Sequence, residues 1–232
     1  MGCKNIKKEK LSPEGWECRS VVNKSSGQVI YSYFFKRKRV PHKYIKTQIA
    51  KRAVGYTLLK KDIKNIKYWA NLSQAMHEEN GHDFSQNFQR SSEIYTDLNL
   101  NLKAILVATV TFYGKLFTTA DGRKVKLEKK MFSGEMLDTH NRLMGFRNHF
   151  AAHSGDEGIE WARLAFAISK KKGSFSAPYI GTELFQPSSV HFEDKHFELF
   201  DFIEKHIDTK REQVMQKVLD AELDKIGLTL IK

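Results

Sequence analysis

The chain has 232 residues, 41% hydrophobic and 28% charged, which is enough apolar material for a sizeable core and excludes wholesale disorder. Its two cysteines, Cys3 and Cys18, exclude a disulfide framework or a four-ligand zinc site of their own, and a reducing cytoplasm is the expected home. Lys and Arg exceed Asp and Glu by 39 to 27, and the excess is uneven: residues 1–67 hold 18 basic against 4 acidic side chains, and the remainder holds 21 against 23.

That basic front third, with Lys36, Arg37, Lys38 and Arg39 in succession, is the electrostatic pattern of a chain that meets phosphate, and a nucleic acid is the expected partner. No membrane association is expected. The most apolar stretch, near residues 100–116, is interrupted by Lys103, Gly114 and Lys115. Lys4, Lys7, Lys8 and Lys10 break up the start, so no secretory signal is read there. Gly2 and Cys3 raise the question of acylation, but Ile6 stands where that signal wants Ser or Thr.

Residues 16–36 are rich in β-branched and aromatic side chains on both sides of the turn-forming cluster 23–27, which predicts a hairpin. After Pro41 the period becomes helical, with Ile45, Ile49, Ala53, Tyr56, Leu59, Ile63 and Ile66 at spacings of three and four, running to about Met76. A second helix is expected from about Ser91 through Leu98, Leu102, Ile105, Ala108, Phe112 and Leu116, followed by a loop with its turn at Asp121-Gly122. A third covers roughly Ser133 to His153, with Ser133 as N-cap and Gly155 at the stop.

Segments 159–168 and 176–185 flank Lys170–Gly173 and predict a second hairpin, although the first of them also suits a helix. A last helix runs from about Phe192 to Leu223, with Phe197, Phe200, Ile203, Ile207 and Val214 on its apolar side. The expected fold is therefore mainly α: an antiparallel bundle of about four long helices with small β-hairpin insertions. The expected organisation is a basic segment with a hairpin over residues 1–40, then a helical domain over 41–232 with a hairpin insertion near 159–186.

Chemistry concentrates in the third helix, where residues 145–155 read GFRNHFAAHSG. At ~100° per residue, Phe146, Phe150 and His153 share a face, while Arg147 shares one with His140 and Ser154. Arg147 and His153 are then about 120° and ~9 Å apart, too far to aim at one atom from a single helix. Two copies packed about a twofold axis can bring the arginine of one chain to the histidine of the other.

Three readings compete. A metal site would use His149, His153 and Asp156, but HFAAH lacks the general-base glutamate of HExxH, and Gly155 interrupts the helix that Asp156 needs; no metal and no cofactor are expected. A structural reading makes His153 a core residue and Arg147 a cation favoured by the helix C-terminus. A third reading is metal-free phosphoryl transfer, in which an imidazole moves the proton and a guanidinium holds the developing charge.

Residues 147–153, RNHFAAH, resemble the R-x(4–6)-H signature of the HEPN superfamily, and Asn148 matches its polar residue directly after the arginine. The order of helices from residue 42 to 220 is similar as well. The resemblance implies a helical, dimeric, metal-independent endoribonuclease in a toxin–antitoxin or phage-defence setting, with an antitoxin or defence protein as a possible partner. On this chain it implies Arg147 at the transferring phosphoryl group, His153 as general acid or base, and Asn148 orienting or binding phosphate. The product would be a 2′,3′-cyclic phosphate, and RNA would be cut where DNA is spared. Lys36, Arg37, Lys38, Arg39 and the basic first helix would hold the RNA backbone. The alternative within the same superfamily is a non-catalytic interaction or nucleic-acid-binding module. Gly155 departs from the tyrosine that some HEPN toxins carry there, and the two hairpins and the first 40 residues lie outside the shared helical core.

Overall fold

A computed structural model describes residues 7–11, 14–79, 97–148, 161–167, 170–171, 174–175, 179–185 and 192–225. The chain divides into two compact units, Met1–Lys46 and Thr47–Lys232.

The first unit is an antiparallel meander of β1 (Lys7–Leu11), β2 (Trp16–Val22), β3 (Val29–Phe35) and β4 (Lys38–Val40), in spatial order β1-β2-β3-β4. The β2–β3 hairpin extends from Trp16↔Phe35 to Val22↔Val29. Its turn is built by Asn23, whose Oδ1 accepts from the Ser25 amide at 3.0 Å, and by Gly27 at φ +67°. The β3–β4 connection is tighter. Phe35 pairs with Lys38, so only Lys36 and Arg37 turn the chain, at φ +46° and +69°. Two positive φ values in a two-residue loop define a type I′ turn, which ordinarily calls for Asn-Gly. The edge strands, KKEKL and KRV, were not visible in the periodicity because lysines fill them. Charged edges of this kind resist pairing with other chains.

The second unit is mainly helical, with α1 (Gln48–Glu79), α2 (Asp97–Phe117), α3 (Gly134–Arg147) and α4 (Asp194–Asp224). Its two small antiparallel ladders pair β5 (Trp161–Ala167) with β8 (Tyr179–Phe185), and β6 (Lys170–Lys171) with β7 (Ser174–Phe175). Segment 161–167 is thus strand, which resolves the ambiguity of the sequence. Helix α1 starts later than the periodicity suggested. Thr47 Oγ1 caps it by accepting from the Ala50 amide at 3.2 Å, and Ile45 lies before the first turn.

Leu59, Ile63, Ile66 and Ala70 of α1 meet Leu106, Val110, Tyr113 and Leu116 of α2, and Leu199, Phe200, Ile203 and Ile207 of α4 complete the core. Helix α2 is long and apolar enough to cross a membrane by length and composition, but its buried stripe lies in this core. Helix α4 runs antiparallel to α1. Arg211 meets Thr57, Lys60 Nζ bonds both oxygens of Asp208 at 2.6 and 2.8 Å, and Lys67 lies 2.6 Å from both Asp201 and Glu204. These pairs occupy two cations of the "basic" first helix, leaving Lys51, Arg52, Lys61 and Lys64 as its exposed ones.

After α2 the chain turns back and inserts Arg123 between the first two helices. Arg123 is 5% exposed, and its guanidinium donates Nη1 to Asp62 Oδ2 at 3.1 Å and Nη2 to the carbonyls of Lys115 and Thr118. The adjacent backbone fits a notch that only glycine leaves open. A Cβ on Gly55 would lie 2.6 Å from Val125 Cγ2 and 2.9 Å from the Arg123 carbonyl oxygen.

Candidate active site

Helix α3 faces α2 with Thr139, His140 and Leu143 buried. The N-cap position belongs to Ser133, although its hydroxyl makes no capping bond. His140 enters an aromatic nest, with ring centroids 4.6 Å from Phe117, 5.0 Å from Phe132 and 5.7 Å from Tyr113. Its Nδ1 is hydrogen-bonded to the Tyr113 hydroxyl at 2.8 Å. Burial, with a smaller contribution from Lys129, pulls the imidazole down to about 4, and burial raises the phenol of Tyr113. At neutral pH this is a neutral, structural pair that sets the rotation of α3 about its axis.

Seven residues on, nearly two turns, Arg147 projects from the same face of α3. Its aliphatic stem crosses α2 at Gly114. A Cβ built there would stand 3.0 Å from Arg147 Cγ and Nε and 3.1 Å from Cδ. The missing side chain is what gives the arginine its path, so a residue that merely interrupted an apolar pattern in the sequence turns out to shape the site. Arg147 as a whole is half-buried, and its guanidinium donates Nη1 to Asn148 Oδ1 at 3.1 Å in an exposed bond. Asn148 keeps helical dihedrals (φ −68°, ψ −39°), and its amide bonds the carbonyls of Met144 and Gly145.

Arg147 and Asn148 are therefore brought together, as a fork of N–H donors beside an exposed amide, which suits an anionic oxygen. His149, His153 and Asp156 lie outside the described residues, as do Ala151, Ala152 and Gly155. Among the described residues there is no cluster of His, Cys, Asp or Glu suited to a metal ion.

Gly114→Ala tests the path of the arginine. Alanine improves helix propensity by about 1 kcal/mol, so the melting temperature holds or rises, while the displaced guanidinium lowers any phosphoryl-transfer activity about ten- to a hundredfold. Parallel thermal melts and cleavage assays separate the two effects.

The other predicted site residues, Lys36 to Arg39, belong to the first unit and do not form one patch. Lys36 and Arg37 are the β3–β4 turn; Lys38 lies opposite Phe35 on one face of the sheet, and Arg39 opposite Phe34 on the other. All four are exposed, and among the described residues none has an ion pair. Missed by sequence reading were Gly114, the Tyr113–His140 pair and the Asp62–Arg123 bridge, because each acts through a contact between segments far apart in the sequence. No protein-family model, no curated protein and no solved structure matches the chain.

Proposed function

We propose that the chain is a metal-independent endoribonuclease of HEPN type whose helical unit is a HEPN-like bundle, acting in the cytoplasm as a homodimer within a toxin–antitoxin or phage-defence system. The observation that carries the reading is Arg147, seated over Gly114 with its guanidinium joined to Asn148 at the end of α3. An ordinary surface arginine needs neither a glycine path nor a polar neighbour to hold it.

In this mechanism His153 accepts the proton of a ribose 2′-OH, and O2′ attacks the adjacent phosphorus. The bond from phosphorus to O5′ breaks, and the departing oxygen takes up a proton. Arg147 stabilises the charge on the non-bridging oxygens, and Asn148 fixes the guanidinium plane. The products are a 2′,3′-cyclic phosphate and a 5′-hydroxyl. Because Arg147 and His153 point away from each other on one ideal helix, a complete site takes one residue from each chain of the dimer.

The test is cleavage of labelled RNA by purified protein with and without EDTA, wild type beside Arg147→Ala and His153→Ala. Cleavage in EDTA, lost in both variants, supports the reading. Loss caused by EDTA overturns the metal-free mechanism, and a wild type that never cleaves assigns the fold to the interaction module instead. Mixing the two inactive variants adds a sharper readout. Heterodimers regain one intact site, giving about a quarter of wild-type activity, whereas a site within one chain regains nothing.

A further inference from the structure

The register of the N-terminal sheet sorts its side chains into two unlike faces. One carries Glu17, Arg19, Ile30, Ser32, Phe34 and Arg39, and its charges are partly spent: Arg19 pairs with Glu17 at 2.5 Å and lies over the Phe34 ring at 3.9 Å. The other carries Trp16, Tyr31, Tyr33 and Phe35, with Lys38 beside Phe35 and Lys36 Nζ 5.5 Å from the centre of that ring. Trp16 and Phe35 touch at 5.2 Å, and His42, 5.1 Å from Tyr33, leads on to Tyr44. Tyr31 is 43% exposed and Tyr44 69%. Over the whole first unit, residues 1–46, there are twelve Lys and Arg against three Glu.

We propose that this aromatic face is a stacking platform for single-stranded RNA. Rings with open π-faces accept unpaired bases of any sequence, and surrounding cations hold the backbone. A protein partner would have to match a strongly one-signed surface, whereas a nucleic-acid backbone matches it by charge alone.

The turn gives a second, independent argument. A type I′ turn is unstrained as Asn-Gly, but here two bulky cations sit at positive φ, a conformational cost borne where the aromatic row ends. Strain retained for charge is expected of a binding residue and has no use in a merely structural turn. The choice of RNA over DNA rests on the ribonuclease reading; the platform itself does not.

The experiment measures anisotropy of labelled oligouridylate and oligothymidylate, on the order of ten nucleotides each, with full-length protein carrying His153→Ala so that the probe stays whole. Tyr31→Thr and Tyr33→Thr each keep a β-forming residue and are expected to weaken oligouridylate binding about tenfold. Ile30→Thr, next to Tyr31 but on the opposite face, leaves it unchanged.

The double substitution Lys36→Asn and Arg37→Gly is expected to raise the melting temperature while weakening binding and flattening the slope of log affinity against log salt by about 1.4. The platform is overturned if the tyrosine variants bind as wild type or if Ile30→Thr weakens binding equally; oligothymidylate binding as tightly as oligouridylate overturns the choice of RNA. The platform is also overturned if Tyr31→Thr dissociates a dimer, which would assign the face to self-association. Binding by the His153→Ala protein with no RNA cleavage by the wild type would sink the nuclease reading and leave the platform standing; cleavage by the wild type with unaltered binding in the tyrosine variants would do the reverse.

Discussion

Asp62→Ala lowers the unfolding free energy by about 3–5 kcal/mol, read from urea denaturation at neutral pH. The bridge between Asp62 and Arg123 has both side chains about 7% exposed or less, so removing the carboxylate strands a guanidinium in a dry interior. Breaking one partner of such a pair costs far more than the pair is worth in total. Replacing both, as Asp62→Leu with Arg123→Met, recovers part of the loss but not all of it. Arg123 also supplies Nη2 to the carbonyls of Lys115 and Thr118, and these lose their donor in the double variant. Full recovery would show that Arg123 acts only as the counter-ion of Asp62.

The second large effect is a pH dependence. In the fold His140 takes up its proton only near pH 4, because burial disfavours the cation and Lys129 adds to this; the unfolded chain takes it up near 6.5. Between these values the unfolded state holds more protons, so stability rises with pH from about 4 to about 6.5 and is fully present above that. The gap is worth about 3 kcal/mol. His140→Gln keeps an acceptor for the Tyr113 hydroxyl and removes the titration, so its stability is flatter across this window than that of the wild type. His196 and His206, which burial shifts in the same direction, remain in both proteins and cancel in the comparison. An unchanged slope in the variant would mean that His140 is not the group responsible.

What could be read from the sequence follows from how each element declares itself. Helices α1 and α4 repeat apolar residues every three or four positions because one stripe of each faces the core, and Leu59, Ile63, Ile66, Phe200, Ile203 and Ile207 are buried accordingly. On α2 the predicted face was turned somewhat from the real one: Ile105, Ala108 and Phe112 are half-buried, while Leu106, Val110 and Tyr113 form the stripe. So many of its residues are apolar that the period alone does not choose a side.

Strands β1 and β4 were hidden because edge strands of a small sheet carry lysine rather than an alternating apolar pattern. The β3–β4 turn was hidden because Lys36 and Arg37 occupy positions where glycine or asparagine would have announced it. Of the proposed site, Arg147 and Asn148 were found by motif, and the shared face of His140 and Arg147 by helical geometry. The path across Gly114 depends on a tertiary contact that no local pattern encodes.

That path is connected to the buried bridge. The Lys115 carbonyl held by Arg123 belongs to the residue directly after Gly114, so the wall behind the candidate catalytic arginine is latched to α1 through Asp62. Opening the 118–128 loop would release that latch while the α1–α4 pairs at Lys60 and Lys67 still hold their helices together. Heat would then abolish function at a temperature where the helical signal is still intact, and the difference between inactivation and melting would measure how firmly one loop keeps the site in shape.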